Sequence, residues 1–356
     1  MKHRVGEELA LRSRHLRRGV LSVAPLTALA MLGMNLPSPL TGGTPAGNHV
    51  TEYPLPRPGA FPHDPAVAPD GSVWYTDQAN SYIGRLDPST GKVVDFATPT
   101  PKSGPHGLVV SPTGGVWYTA NAAGRIGRLD PATGKIREIV LPAEARDPHT
   151  PLLVGGKLWF TVQQADLYGV LDTATGKAVI YHVPTPHALP YGIVQAPNGT
   201  IWIALFGTNA LGRVDPATGA LHEVRLPAEG ARPRRLVVDA HGVIWYSDYA
   251  RGRLGMYDPA SGKMAEYLSP DGDHSSPYGI AVTPDGRIWY AEAGVSRVVA
   301  FDPKTTHTAN YDLPTKGAVI RNMSVDAAHG RLWLALSGTG RLGRIDYAPE
   351  KLAAGT

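Results

Sequence analysis

Cysteine is absent from this chain of 356 residues. That excludes a disulfide framework, thiolate metal sites, covalent haem attachment and a lipid-modified cysteine. Outside residues 1–48 no stretch carries a convincing 3.6-residue apolar period, which argues against amphipathic helices. The motifs H-E-x-x-H and G-x-S-x-G are missing, as is a phosphate-binding loop, so the zincin, serine-hydrolase and P-loop classes find no support. Gly338-Thr339-Gly340-Arg341-Leu342-Gly343 satisfies G-x-G-x-x-G, but it lies between strand-like runs and opens no helix. His182 and His187 have no paired ligands nearby in sequence.

An excess of charge is also missing from most of the chain. Of 34 basic and 30 acidic residues, six basic and two acidic ones lie in residues 1–48, which leaves 28 of each elsewhere. The net +4 therefore belongs to the leader, and no general basic footprint for nucleic acid remains. In that leader, Arg17-Arg18 precedes an apolar run from Gly19 to Leu36, followed by a Pro/Gly/Thr-rich tether to Asn48. Ser22, Pro25 and Thr27 interrupt the run, so it reads as an export signal and not as a permanent membrane span. The expectation is an exported protein, periplasmic or secreted, with residues 1–48 as signal and tether.

What is present is rhythm. The seven tryptophans Trp74, Trp117, Trp159, Trp202, Trp245, Trp289 and Trp333 are 43, 42, 43, 43, 44 and 44 residues apart. Each is followed 13 residues later by an aspartate, from Asp87 to Asp346. A repeat near 43 residues with four short β-rich runs, separated by Gly/Pro/Asp turns, predicts one propeller blade per repeat. The fold class is thus all-β: a seven-bladed propeller over residues 49–346, with a tail over 347–356. The last repeat lacks its outer strand, whereas His49 to Pro56 reads like one. The N-terminal strand is predicted to complete the seventh blade and remove its open edge.

Framework residues repeat, and function is sought where the repeats differ. Two positions per repeat converge on the channel face. A first ring, about eleven residues before each tryptophan, reads His63, His106, His149, Tyr191, Arg234, Tyr278 and then Arg321 or Asn322. A second ring, three residues after the tryptophan, reads Asp77, Ala120, Val162, Leu205, Asp248, Glu292 and Leu336. Histidines suit general base chemistry, and arginines can hold a carboxylate with two parallel bonds. The carboxylates Asp77, Glu292 and Asp248 suit a hard divalent cation or an orienting role beside a base. The bland alternative is that the Pro-His and Pro-Tyr pairs are strand-end framework.

The repeated wording Pro-His/Tyr-Gly-Ile, Ile-Trp-Tyr-Thr-Asp/Glu, Ile-Gly-Arg-Leu-Asp and Glu-Tyr-x-Leu-Pro resembles the streptogramin B lyase (virginiamycin B lyase) family of seven-bladed propellers. The resemblance spans about residues 49–346. It implies an elimination that opens a cyclic depsipeptide at its ester: a histidine removes a Cα proton, the ester carboxylate leaves, and Mg²⁺ (Ca²⁺ as the alternative) holds the developing charge. Pro62-His63, Pro105-His106 and Pro148-His149 match the histidine part. The acidic part departs, because four of the seven second-ring positions are apolar. The last repeat carries neither the Pro-His nor the glutamate of the family's final blade, which makes His63 with Asp77 and Glu292 the relocated candidate. The expected roles are His63, His106 and His149 in catalysis, Tyr191, Arg234, Tyr278 and Arg321 in substrate binding, and Asp77, Glu292 and Asp248 on the metal. The expected ligand is a small molecule or cyclic peptide on the channel face of a monomer. A metal-dependent lactone hydrolase and a non-enzymatic propeller that captures an anionic ligand or a protein stay open beside the lyase.

Overall fold

The computed structural model describes residues 50–347. The expected signal and tether (1–48) and the tail beyond Tyr347 lie outside the described residues. Those described form 28 strands, β1–β28 in chain order, in seven four-stranded antiparallel sheets. The first blade is β2 (Pro62–Val67), β3 (Val73–Asp77), β4 (Tyr82–Leu86) and β5 (Val93–Ala97). The innermost strands of the next five blades are β6 (Pro105–Val110), β10 (Pro148–Val154), β14 (Pro190–Gln195), β18 (Pro233–Val238) and β22 (Pro277–Val282). Among the described residues no helix is long and apolar enough to cross a membrane.

The seventh blade confirms the predicted closure. Its sheet runs β26 (Ile320–Asp326), β27 (Arg331–Leu336), β28 (Arg341–Asp346) and then β1 (Val50–Pro54). β1 pairs antiparallel with β28, Val50 opposite Ile345 and Pro54 opposite Arg341. Tyr53 lies 5.4 Å from Trp333 between ring centroids and accepts a hydrogen bond from Arg344 at 2.9 Å. The Glu52 carboxylate accepts from the Thr315 amide at 3.0 Å, which ties the N-terminal strand to the loop arriving from the sixth blade.

The repeated residues have the structural duties that the sequence suggested. All seven tryptophans are at most 5 % exposed, and they pack with aromatic neighbours such as Phe96 on Trp74 and Phe301 on Trp245. In the turn after the third strand of the first five blades the aspartate accepts backbone bonds while glycine takes a positive φ, and in the sixth Thr306 takes that conformation beside Asp302. Asp130 accepts from the Ala132 amide at 3.0 Å and Gly134 sits at φ 68°. The glycine of Ile-Gly-Arg answers to a different need. A Cβ on Gly127 would lie 2.0 Å from the Tyr118 ring, so glycine leaves the groove in which that ring lies.

Candidate functional site

Antiparallel pairing puts both channel positions at one end of each blade: Pro62 faces Asp77, Pro105 faces Ala120 and Pro277 faces Glu292. Just past that point every innermost strand has a register shift. Such bulges re-aim side chains, and here they fall at the first-ring residue in all seven blades. A hydroxyl two residues after the tryptophan secures the bulge and ties neighbouring blades together. Thr119 Oγ1 accepts from the Gly107 amide at 2.9 Å and donates to the His149 carbonyl at 2.7 Å. Thr76, Thr161 and Ser247 hold the carbonyls of His106, Tyr191 and Tyr278 at 2.7, 2.8 and 2.7 Å in the same way. Ala204, Ala291 and Ala335 stand in the other three blades.

The first ring is brought together as the sequence predicted. His63, His106 and His149 form a column with ring centroids 3.6 and 3.7 Å apart, and Tyr191 continues it 4.0 Å from His149. The Tyr191 and Tyr278 hydroxyls hydrogen-bond across the channel, linking the fourth and sixth blades. Arg234 lies in an aromatic cage, its Cζ 3.9 Å from the Tyr278 ring centroid, 4.4 Å from Tyr249, 4.8 Å from Tyr191 and 4.9 Å from Phe206. In the seventh blade Arg321 takes the channel position, 5.2 Å from Phe61 and 5.6 Å from Tyr278. Asn322 turns to Asp64 instead.

One buried chain was not foreseen. Asp64 Oδ1 accepts from Arg235 Nη2 at 2.7 Å, reaching across from the fifth blade, and is 2.9 Å from His63 Nδ1. In this Arg–Asp–His chain the carboxylate favours the imidazole tautomer with Nδ1 protonated and Nε2 free of a proton. Burial pushes the Asp64 carboxyl up from its ordinary value, and Arg235 opposes that rise. All three histidines are held well below 6.5, first by burial and then by neighbouring cationic groups: Arg321 and Arg235 at His63, Arg235 at His106 and His149. They are therefore neutral imidazoles at neutral pH. Burial would also raise the Tyr278 hydroxyl, but Arg234, Arg321 and Arg235 outweigh it and bring it below 10. Tyr191 is raised instead by its own burial, so it is the donor in the pair.

The second ring is where the structure corrects the sequence reading. Asp77, Asp248 and Glu292 are not gathered into one ligand set. Each hangs over the loop that enters its own blade: Asp77 accepts from the Phe61 amide at 3.0 Å, Asp248 from the Arg232 amide at 3.0 Å and Glu292 from the Asp271 amide at 3.2 Å. Arg251 also reaches Asp248 at 3.2 Å, and Arg297 lies beside Glu292 at 3.5 Å. Among the described residues no group of three or more His, Asp or Glu side chains is arranged to hold a metal ion. The residues present do not fit Mg²⁺ or Ca²⁺: the carboxylate oxygens are spent on amides and guanidinium groups, and the first ring is cationic. A cleft of about 490 Å³ lies at the opposite end of the first blade, lined by Asp70, Arg85, Lys92 and His329, remote from the ring.

The Virginiamycin B lyase family matches over residues 44–268 and 208–351. The chain belongs to that family. A streptogramin B lyase structure aligns at 27% identity with a TM-score of 0.77, covering 83% of this chain and 96% of the other. Virginiamycin B lyase from Staphylococcus aureus aligns at 24% identity with a TM-score of 0.76, covering 83% and 98%. A catalytically inactive variant of that enzyme with quinupristin aligns at 23% identity and 0.77, again over 83% and 98%. No curated protein matches the chain in sequence. Family membership and the propeller are thus in agreement with the sequence reading, and the likeness to the streptogramin B lyase points to a lyase type of enzyme.

Proposed function

We propose that this family member is a carbon–oxygen lyase acting on an ester or lactone-like substrate at the first ring, with His63 as the base. His63 Nε2 takes a proton from the carbon adjacent to the β-carbon that bears the ester oxygen. The C–H electron pair forms a C=C bond to the β-carbon, and the bond from that carbon to oxygen breaks with departure of the carboxylate. The observation that carries the reading is the buried Arg235–Asp64–His63 relay, because it holds the imidazole as a neutral base and stabilises the imidazolium after transfer. Arg234 and Arg321 are the groups to attract the departing carboxylate.

Incubation with a cyclic depsipeptide followed by mass spectrometry tests it. Elimination opens the ring with no change in mass and yields an alkene, whereas hydrolysis adds one water. His63→Ala should abolish opening, and Asp64→Asn should slow it on the order of a hundredfold or more through loss of the tautomer. Unaltered activity in His63→Ala refutes the assignment. A second reading, non-enzymatic capture of an anion, is favoured by the arginine cluster and predicts binding with no product of either kind.

A further inference from the structure

We propose that Arg321 and Tyr278, backed by Arg234, form an oxyanion subsite in the channel that takes a carboxylate carried by the substrate. The inference rests on the lyase reading in that it names the charge of that enzyme's substrate. The argument starts from a difference among the arginines. Arg235 is matched by Asp64 at 2.7 Å, Arg251 by Glu266 at 2.7 Å and Arg297 by Asp312 at 2.7 Å. Arg321 has no carboxylate partner among the described residues, and its buried Nε has no hydrogen-bond partner at all.

Apart from the hydroxyls of Tyr278, which hydrogen-bonds Arg321, and Tyr191, the surroundings of Arg321 supply no group that could carry negative charge. Its neighbours are the Phe61 and Tyr278 rings, and Arg234 lies near enough to repel it. Asp64 is already shared between Arg235 and His63. The three histidines are neutral. Arg321 is half-buried with its Nε enclosed, and a guanidinium so placed without a carboxylate partner keeps part of its desolvation cost unmet. Two groups can relieve it: ionised Tyr278, which the arginines pull toward the phenolate, or an anion from outside. The planar, forked guanidinium matches a carboxylate with two parallel bonds, which makes carboxylate the favoured chemistry over a tetrahedral oxyanion.

The two counter-charges compete, and that gives the test. At constant ionic strength, the protein is titrated with acetate, succinate and inorganic phosphate, chloride being the reference anion. Thermal unfolding and the near-ultraviolet difference spectrum of tyrosinate are followed together. The expected result is that carboxylates raise the melting temperature and shift the ionisation of one tyrosine to higher pH, with phosphate weaker. Arg321→Met should weaken the carboxylate response on the order of tenfold or more, Arg321→Lys should restore part of it, and the exposed Arg225→Met should leave it unchanged. No carboxylate-dependent change in either signal of the wild-type protein overturns the subsite, whether or not the variants fold. An equal response in Arg321→Met overturns its assignment to Arg321, and a stronger response to phosphate overturns the carboxylate. The two readings separate cleanly. Loss of ring opening with a retained anion response sinks the lyase alone, and retained ring opening without an anion response sinks the subsite alone.

Discussion

The closure of the ring by β1 gives a prediction whose size follows from the contacts. Glu52→Ala leaves the Thr315 amide and hydroxyl without their acceptor, a loss of about 2 kcal/mol for donors in a partly buried site. Tyr53→Ala removes a half-buried ring from Trp333 and the acceptor of Arg344, again about 2 kcal/mol. The two side chains meet different partners, so the double variant should lose about 4 kcal/mol, or about 10 °C in melting temperature for a domain of this size. Deleting residues 49–56 should do more, because it also exposes β28 as an unpaired edge and invites association between molecules. Thermal unfolding followed by circular dichroism, with size-exclusion chromatography on the deletion, reads all four. Val140→Ala, on an outer-strand residue that is 66% exposed, is the control and should not shift the transition. An unchanged, cooperative transition in the deletion protein would refute the closure as a stabilising device.

Three further outcomes are expected. The histidines are neutral in the folded protein and titrate near 6.5 when unfolded. Stability should therefore fall as pH drops below about 6.5, each histidine adding up to ~1.4 kcal/mol per pH unit, and His106→Gln should remove one proton's worth of that slope in denaturant titrations. Glu292 has the opposite sign: burial raises its folded pKa from 4.5 to about 7, so it costs stability as pH rises through that window. Glu292→Gln should flatten the loss between those limits while keeping an acceptor for the Asp271 amide; a dependence identical to wild type would reject this. Finally, Asp64→Ala should destabilise by about 3–5 kcal/mol, since Arg235 is left buried without its counter-charge, whereas Asp64→Ala with Arg235→Met should recover part of the loss. Equal melting of the single and double variants would count against the pairing.

The fold was legible because each blade repeats the residues that its turns and core require: Trp117 between blades, Asp130 and Gly134 in the turn, Gly127 beneath the Tyr118 ring. The first ring was legible for the converse reason, since His63 through Arg321 vary at a nearly constant distance, 10 to 12 residues, before the recurring tryptophan. What escaped was set by local geometry that spacing does not encode. The bulge turns the residue after the channel position inward as well, so Asp64 and Arg235 join the site although only His63 and Arg234 were assigned to the ring, and Asn322 joins beside Arg321, between which the spacing did not choose. The second ring misled because Asp77, Asp248 and Glu292 stand opposite a proline at the strand head. The nearest unsatisfied groups there are the amides of their own loops. The cage around Arg234 draws Phe206 and Tyr249 from loops whose direction no periodicity reveals.

The hydroxyl ties between blades give the ring unequal compliance. Thr76, Thr119 and Thr161 bind three successive neighbours, so the arc carrying His106, His149 and Tyr191 is anchored at its backbone and moves as a unit. Where alanine replaces the hydroxyl, at Ala204, Ala291 and Ala335, the strand next in line carries Arg234, Arg321 or His63. Of these, the strand of the neutral His63 is still tied, through the Ser337 hydroxyl on the Pro62 carbonyl, so only the strands of Arg234 and Arg321 lack such a hydroxyl tie from the blade before them. The first ring therefore joins an arc of His106, His149 and Tyr191, held at its carbonyls, to two arginine-bearing strands held by their side chains instead.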